Sequence, residues 1–376
     1  MVTNKNGVTT IKVNLDDVKD GKLTDYFEPE IEYLLLKEND NPEAQIGEIA
    51  KLVAYQGKLF VFDWYINKSI QIFDRQGKFL NRIHSFGEGP EQYMELADFQ
   101  VVQDTIYVLA HPKKIMKFDL QGRFINEFKI NVVGRTFYYD TKSNLFFIYE
   151  RSETDNLVST VDHSGELIED HFASNPNIFV GNMGDPYNFF EEIDDFYFTK
   201  SYNDTLYRYE SGHFRPRIIF DYGHLKMNHS QMIEKKSQMN GNEFFEYSKN
   251  NMGMSFSPFG FSNSKYLMTR LNNNGKAYVS IFDKQNQTFE IINFKIENDI
   301  DESFDFYSPV YKLENNEVAI AYRGASLYNI AVEKKQTMSD EDWKAYQEGK
   351  GKDFIEAAFY AKESENYVLM ILKTKK

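Results

Sequence analysis

The sequence predicts an all-β protein, a six-bladed β-propeller of four-stranded antiparallel blades with helical insertions. Three observations lead to this prediction. Alternating apolar runs separated by Gly or Asn turns recur along the chain, which is the pattern of β-hairpins. The recurrence has a period of roughly 45 residues, the length expected for a propeller blade. Aromatic residues make up 16% of the 376 residues, and aromatic side chains favour strands.

The clearest repeat units are two segments in the first third of the chain. Residues 58–80, KLFVFDWYINKSIQIFDRQGKFL, and residues 105–125, TIYVLAHPKKIMKFDLQGRFI, each contain two alternating runs, a Gly turn and a third run. Weaker copies follow at 145–168, 195–215, 265–283 and 317–333. Acidic residues that end the second runs are 45, 43, 48 and 73 positions apart, namely Asp74, Asp119, Asp162, Glu210 and Asp283.

Stacking of these units in a ring is the arrangement that buries the faces of their sheets. A single four-stranded sheet leaves both of its faces uncovered, whereas neighbouring blades in a propeller cover each other. A two-domain assembly of β-sandwiches is the alternative, and it explains the regular spacing less well.

Two polar segments interrupt the strand pattern. The long last interval contains residues 226–251, whose polar composition favours helices over strands. Residues 338–363 contain Ser339 and Asp342 in a capping pattern, followed by apolar residues at helical spacing. We therefore expect both segments to be helical insertions in the propeller.

Strand patterns also lie outside the six repeats. One covers residues 31–37, IEYLLLK, and the other covers 366–373, NYVLMILK. We expect both strands in the blade that closes the ring, because this arrangement leaves no open sheet edge. The predicted propeller domain spans residues 31–376 and follows an extension at 1–30.

The turn within residues 84–93, HSFGEGPEQY, carries a structural signal. Gly87 and Gly89 permit positive φ, and Pro90 ends strand pairing. Glu91 or Tyr93 is suited to tie the crossover to the next blade. A phosphate cradle is not expected, because neither a helix start nor a Lys-Ser/Thr pair follows the glycines.

This turn, together with FVFDWYINKSIQIFDRQGKFL at 61–80, resembles the repeats of bacterial six-bladed β-propellers of the NHL type. The entry strand at 31–37 and the last strand at 366–373 extend the resemblance over nearly the whole chain. Proteins of this family are typically exported and are mostly uncharacterised. The resemblance implies a periplasmic or lipid-anchored protein of the cell envelope.

Composition excludes several classes of protein and site. The net charge of −14 argues against a nucleic-acid-binding protein, and the absence of cysteine removes disulfides and thiolate metal sites. No stretch reaches the roughly 18 apolar residues of a spanning helix, and no signal peptide core is present. The seven scattered histidines show no metal-ligand spacing, so neither a metal site nor a cofactor is expected.

Candidate ligand-binding residues lie in the loops that follow the second strand of each unit, where a propeller gathers equivalent loops on one face. The set comprises Asp63 and Trp64, His111, Arg151, Lys200, Arg270 and Arg323. Five of the six loops place a cation or His there in an acidic chain, and convergence of these loops would attract anions. Alternatively, each cation reaches into solvent separately.

The favoured function is a non-catalytic binding module of the cell envelope, with a glycan, a peptide or a partner protein as its ligand. The alternative is a lyase or hydrolase that acts on acidic carbohydrate at the same loops. The catalytic residues of that alternative are not identifiable from the sequence, which leaves open whether the protein is an enzyme and what its oligomeric state is.

Overall fold

The computed structural model describes most of the chain, namely residues 1–149, 156–173, 175–179, 188–192, 195–200, 202–306 and 310–376, except for the side chains of 257–259. The chain forms two compact units. The first unit consists of residues 1–19 and 130–294, and the second consists of residues 20–129 and 295–376.

Strands dominate both units. The strands in the described part of the chain are β1 (Val2–Lys5), β2 (Val8–Lys12), β3 (Phe27–Leu35), β4 (Lys51–Tyr55), β5 (Lys58–Asp63), β6 (Ser69–Asp74), β7 (Phe79–Ile83), β8 (Glu95–Val102), β9 (Thr105–His111), β10 (Lys114–Asp119), β11 (Phe124–Lys129), β12 (Thr136–Asp140), β13 (Leu145–Tyr149), β14 (Asn156–Val161), β15 (Leu167–Ala173), β16 (Phe189–Glu192), β17 (Asp195–Phe198), β18 (Thr205–Glu210), β19 (His213–Asp221), β20 (Met254–Ser262), β21 (Tyr266–Asn273), β22 (Lys276–Asp283), β23 (Thr288–Asn293), β24 (Tyr311–Lys312), β25 (Glu317–Arg323) and β26 (Tyr367–Thr374).

Helices occur mainly in two clusters. The α-helices in the described residues are α1 (Leu23–Tyr26), α2 (His229–Gln238), α3 (Gly241–Asn251), α4 (Gly324–Gln336), α5 (Asp340–Glu348) and α6 (Lys352–Tyr360). As predicted, Ser339 caps α5 by accepting a hydrogen bond from the backbone N–H of Asp342. None of the helices in the described ranges combines the length and the apolar composition needed to cross a membrane.

Each unit contains three sheets. The second unit has the four-stranded sheets β4-β5-β6-β7, β11-β10-β9-β8 and β24-β25-β26-β3. In the first unit, β12-β13-β14-β15 and β20-β21-β22-β23 are four-stranded, and the third sheet has the order β1-β2-β19-β18-β17-β16. Pairing within the four-stranded sheets is antiparallel, whereas β2 joins the edge of β19 in parallel. The prediction of four-stranded antiparallel sheets is therefore confirmed for five of the six sheets in the described residues, whereas the sixth is extended to six strands by β1 and β2.

The apolar core of each unit lies between successive sheets. In the second unit, Phe60 of β5 belongs to the same buried cluster as Phe99 of β8, while Val61 packs in another cluster with Ile371 of β26. The first strands of neighbouring sheets in this unit also contact each other, β24 with β4 and β4 with β8. The same holds in the first unit for β12 with β16 and β16 with β20. Sheets that meet along their first strands have the arrangement of propeller blades.

The strands predicted at 31–37 and 366–373 lie side by side, as β3 and β26. Seven residue pairs join β25 to β26, and β26 pairs antiparallel with β3 on its other side. Both predicted strands therefore belong to one sheet, in which β26 is interior and β3 is an edge.

One part of the predicted repeat is wrong. Residues 324–333, expected to form the second half of the last stranded unit, instead begin helix α4. Leu327 and Ala331 are fully buried and pack with Phe354 and Ala358 of α6. Their i, i+4 spacing places them on one helical face. The helical segment thus begins at Gly324, ahead of the insertion expected at 338–363.

The turn at 84–93 performs the structural role expected of it. Tyr93 is fully buried, and its hydroxyl donates a 2.7 Å hydrogen bond to the carbonyl of Lys68. Backbone hydrogen bonds join Gly87 and Ser85 to Tyr93, which closes the turn. Burial raises the pKa of Tyr93 to about 12, so the hydroxyl remains a donor at neutral pH.

Replacement of Tyr93 with Phe is expected to destabilise the protein by about 1–2 kcal/mol, because the partly buried Lys68 carbonyl loses the donor that the buried Tyr93 hydroxyl supplies. Chemical denaturation monitored by circular dichroism measures the change. The control is Tyr65→Phe, since Tyr65 is 69% exposed and its hydroxyl is accessible to water. Equal stabilities of the two variants would contradict the structural role of the Tyr93 hydroxyl.

Candidate functional site

The predicted ligand-binding residues fall into both units. Arg151 lies outside the described residues. The second unit contains Asp63, Trp64, His111 and Arg323, and the first unit contains Lys200 and Arg270. Each residue is therefore considered within its own unit.

The Asp63 carboxylate is hydrogen-bonded to the backbone of its own unit. Its carboxylate is fully buried and accepts hydrogen bonds from the backbone N–H groups of Gly47, Glu48, Ile66 and Asn67. The side-chain amide of Asn67 donates a fifth, at 2.9 Å. These bonds fix the connection that leads into β4 against the loop that follows β5.

Arg323 holds the same connection from the other side. Its guanidinium donates to the carbonyls of Ile46 at 3.1 Å, Glu365 at 2.7 Å and Gly47. The guanidinium also lies over the ring of Tyr367, 4.4 Å from its centre. Because backbone carbonyls occupy its donors, Arg323 joins β25 to the entry of β4.

Gly47 lies between these two side chains. Its N–H donates to Asp63 and its carbonyl accepts from Arg323. A Cβ at this position would lie 2.4 Å from Cβ of Ile66, so the close approach requires glycine. We call Asp63, Gly47 and Arg323 the backbone clamp.

Trp64 and His111 contribute differently to the second unit. Trp64 is 39% exposed, and its ring centre lies 5.9 Å from that of Tyr65. His111 ends β9 and accepts a backbone hydrogen bond from Met94. The neighbouring Lys114 is buried and forms an ion pair with Glu127 at 2.8 Å, so it is not presented to solvent.

Arg270, in the first unit, lies along its own sheet. Its Nε donates to the Asn272 side chain at 3.0 Å, and its guanidinium lies 5.0 Å from the ring centre of Phe294. These contacts hold the side chain against the sheet formed by β20–β23.

Lys200, in contrast, lines a cavity of about 310 Å³ in the first unit. The loop between β17 and β18 supplies one wall, and the segment between β19 and α2 supplies another. The polar lining residues in the described part of the chain are Lys200, Tyr202, Asn203, Asp204, Tyr222, Lys226 and His229. Apolar side chains, among them Ile178, Met227 and Met254, complete the wall. The cavity thus adjoins one of the loops in which the sequence predicted a ligand.

Aromatic rings hold the Lys200 side chain in place. Its ammonium lies 4.6 Å from the ring centre of Phe172 and 5.4 Å from that of Tyr207. Burial lowers the pKa of Lys200, and the nearby Asp204 carboxylate partly opposes this effect. An ammonium that has lost much of its hydration gains more from an anionic ligand than an exposed one does.

Tyr222 contributes a buried hydroxyl to the lining. The residue is 3% exposed, and its hydroxyl has no hydrogen-bond partner among the described residues. Burial, with a smaller effect of Asp204, raises the pKa of Tyr222 well above its usual value. Since buried polar groups are normally hydrogen-bonded, a hydroxyl without a partner in the described part of the chain marks this wall as a candidate ligand contact.

His229 and Asp204 are two further polar residues of the cavity lining. The backbone N–H of Phe179 donates to Nδ1 of His229 at 3.1 Å, so a neutral imidazole carries its proton on Nε2. Burial and the positive charge of Lys226 lower the pKa of His229. The Asp204 carboxylate accepts from Lys226 at 2.7 Å and from the Thr205 hydroxyl at 2.8 Å.

The cavity therefore offers several donors, one carboxylate and an apolar wall to a small polar ligand. Within the ranges that the structure describes, no three His, Asp or Glu side chains are arranged to hold a metal ion. The donor set suits anion or hydroxyl recognition.

Sequence reasoning found Lys200 but missed the rest of the cavity. His229 is one of the scattered histidines without metal-ligand spacing, and neither it nor Tyr222 is among the predicted ligand-binding residues. The available signal was their position, because both follow β19, the last strand of the sequence repeat that contains Lys200.

The fold and the cavity define a protein of blade-like β-sheets with a small polar cavity beside one sheet. The chain belongs to the DUF4934 family, a domain of unknown function whose family model matches residues 8–373. No curated protein matches the sequence.

The chain is similar to solved structures from Bacteroides. A "putative exported protein" of Bacteroides fragilis NCTC 9343 is similar over 98% of this chain and 99% of its own, with a TM-score of 0.75 and 14% identity. A protein of unknown function from Bacteroides caccae matches 65% of this chain and 81% of its own, at 13% identity and a TM-score of 0.37. At this level of identity, the first similarity supports the fold alone.

Proposed function

We propose that the protein is a non-catalytic binding module that holds a small anionic ligand, such as an acidic sugar or the end of an acidic glycan, in the first-unit cavity. The observation that carries the proposal is the Tyr222 hydroxyl, which is buried in the cavity wall and has no hydrogen-bond partner among the described residues. A ligand that reaches this hydroxyl also meets the Lys200 ammonium, whose desolvation favours an anion.

The proposal includes a fold and a location. We infer that the six sheets of the described chain are the blades of one six-bladed ring, with repeats of the NHL type. The contacts between first strands within each unit support this inference, as does the shared sheet of β3 and β26. We also infer that the protein is exported to the cell envelope, which agrees with the name of the Bacteroides fragilis neighbour.

The second candidate function is a lyase or a hydrolase that acts on acidic carbohydrate in the same cavity. The neutral His229 beside Asp204 is the observation that favours it. Hydrolysis of glycosides generally needs two carboxyl groups, and Asp204 is the one carboxylate among the described lining residues. The raised pKa of Tyr222 also disfavours a phenolate base. Binding without catalysis therefore agrees better with the lining.

Replacement of Lys200 with Ala is expected to weaken the binding of acidic oligosaccharides at least about tenfold, equivalent to 1.4 kcal/mol. Affinity should also fall with rising salt, and it should fall as pH rises through the lowered pKa of Lys200, because the neutral amine no longer attracts an anion. Calorimetric titration of oligogalacturonides into both proteins measures these changes.

The matched control is Lys265→Ala. Lys265 also lies over an aromatic ring of the first unit, 4.9 Å from the centre of Tyr266, but it does not line the cavity. Unchanged affinity in the Lys200 variant would contradict the proposed site. Release of unsaturated sugar products, detected by ultraviolet absorbance, would favour the lyase instead.

A further inference from the structure

We propose that the cavity selects a single carboxylated sugar unit, of the uronic acid class, over neutral sugars and phosphorylated sugars. This inference rests on the proposed function and adds the class of ligand. It follows from the charge, the hydrogen-bonding groups and the apolar wall of the cavity.

The charges in the lining suit a monoanion. Lys200 and Lys226 are cationic and Asp204 is anionic, while burial and the charge of Lys226 lower the pKa of His229 and so favour its neutral form. Among the lining residues that the structure describes, one positive charge is therefore left uncompensated. A carboxylate neutralises this charge, whereas a phosphate ester dianion brings a second negative charge close to Asp204.

The hydrogen-bonding groups suit a hydroxylated ligand. Asp204 accepts from Lys226 and Thr205, and a carboxylate has further lone pairs for a sugar hydroxyl. The Tyr222 hydroxyl can both donate and accept, and Nε2 of His229 can donate. A simple carboxylate without hydroxyls would leave these groups unpaired at a cost in affinity.

The size and the apolar wall limit the ligand to about one ring. The cavity volume of about 310 Å³ lies at the lower end of the range for small-molecule sites. Ile178, Met227 and Met254 offer an apolar surface to the C–H face of a sugar ring. A longer glycan would place one terminal unit in the cavity.

The test is calorimetric titration of the full chain with D-glucuronate, glucose and glucose 6-phosphate. We expect glucuronate to bind at least tenfold more tightly than either of the others. Tighter or equal binding of glucose 6-phosphate would overturn the ligand class but leave an anion-binding function intact. Failure of all acidic ligands, including oligogalacturonides, would overturn both proposals.

Two conservative variants test the groups that confer selectivity. Tyr222→Phe should weaken glucuronate binding about threefold to tenfold without loss of thermal stability, because its hydroxyl has no partner to lose among the residues that the structure describes. Asp204→Asn should shift the ratio of affinities at least tenfold toward glucose 6-phosphate, since it removes the charge that repels a dianion. An unchanged ratio in a folded Asp204→Asn protein would contradict the role of the carboxylate.

Discussion

Deletion of residues 366–376 is expected to unfold the protein at temperatures where the intact chain is stable. The deletion removes β26, the strand between β25 and β3 in its sheet. The five consecutive residues Val368–Leu372 are buried there, and apolar side chains contribute about 1.5–3 kcal/mol each on burial. Their combined loss is comparable with the 5–15 kcal/mol by which proteins are typically stable.

Thermal unfolding followed by circular dichroism tests this expectation, with deletion of Lys376 alone as the control. A truncated protein that melts like the control would contradict the importance of β26. The experiment also tests the proposed ring. If the ring is closed, deletion of β26 should destabilise the whole chain cooperatively. A thermal unfolding transition that is unchanged for part of the chain would therefore contradict closure of the ring.

Replacement of Asp63 with Ala is expected to cost at least about 3 kcal/mol. The change leaves four partly buried backbone N–H groups without their acceptor, and an unsatisfied donor costs about 1–3 kcal/mol when it is fully buried. It also releases Gly47, which Arg323 holds through its carbonyl. Urea denaturation of the variant measures the change in the free energy of unfolding.

The adjacent residue provides the matched control. Trp64→Ala should cost less than about 1 kcal/mol, because Trp64 is 39% exposed and surface substitutions are usually mild. Similar stabilities of the Asp63 and Trp64 variants would contradict the backbone clamp. In the conservative Asp63→Asn variant, one side-chain oxygen remains, so we expect an intermediate loss.

The stranded repeats were predictable because period-2 alternation and turn residues act locally. Residues 58–80 form β5, β6 and the first two residues of β7. Residues 105–125 form β9, β10 and the first two residues of β11. The segment 324–333 was not predictable in the same way. Its short apolar run fits either period, and its helical form depends on α6, whose residues lie further along the chain.

The candidate site was predictable only in outline. The pattern of cations after second strands led to Lys200, whose cavity the structure describes. The same pattern included Asp63 and Arg323, which bind backbone groups. Residue type does not reveal a partner that is distant in sequence, such as the Ile46 carbonyl, 277 positions from Arg323.

The pairing of β3 with β26 also affects how the protein is made. Leu35 and Tyr367, which end and begin these strands, are 332 positions apart. A ribosome that adds about 5–20 residues per second needs roughly 20–70 seconds to cover that distance. During this interval the nascent β3 has no partner and is a template for association with other chains. In its sequence, FEPEIEYLL, Glu28, Glu30 and Glu32 occupy alternate positions, and Pro29 lies between the first two. Charged residues and proline in an edge strand discourage edge-to-edge pairing. The strand β3, which is synthesised long before its partner β26, therefore contains residues that reduce its tendency to aggregate.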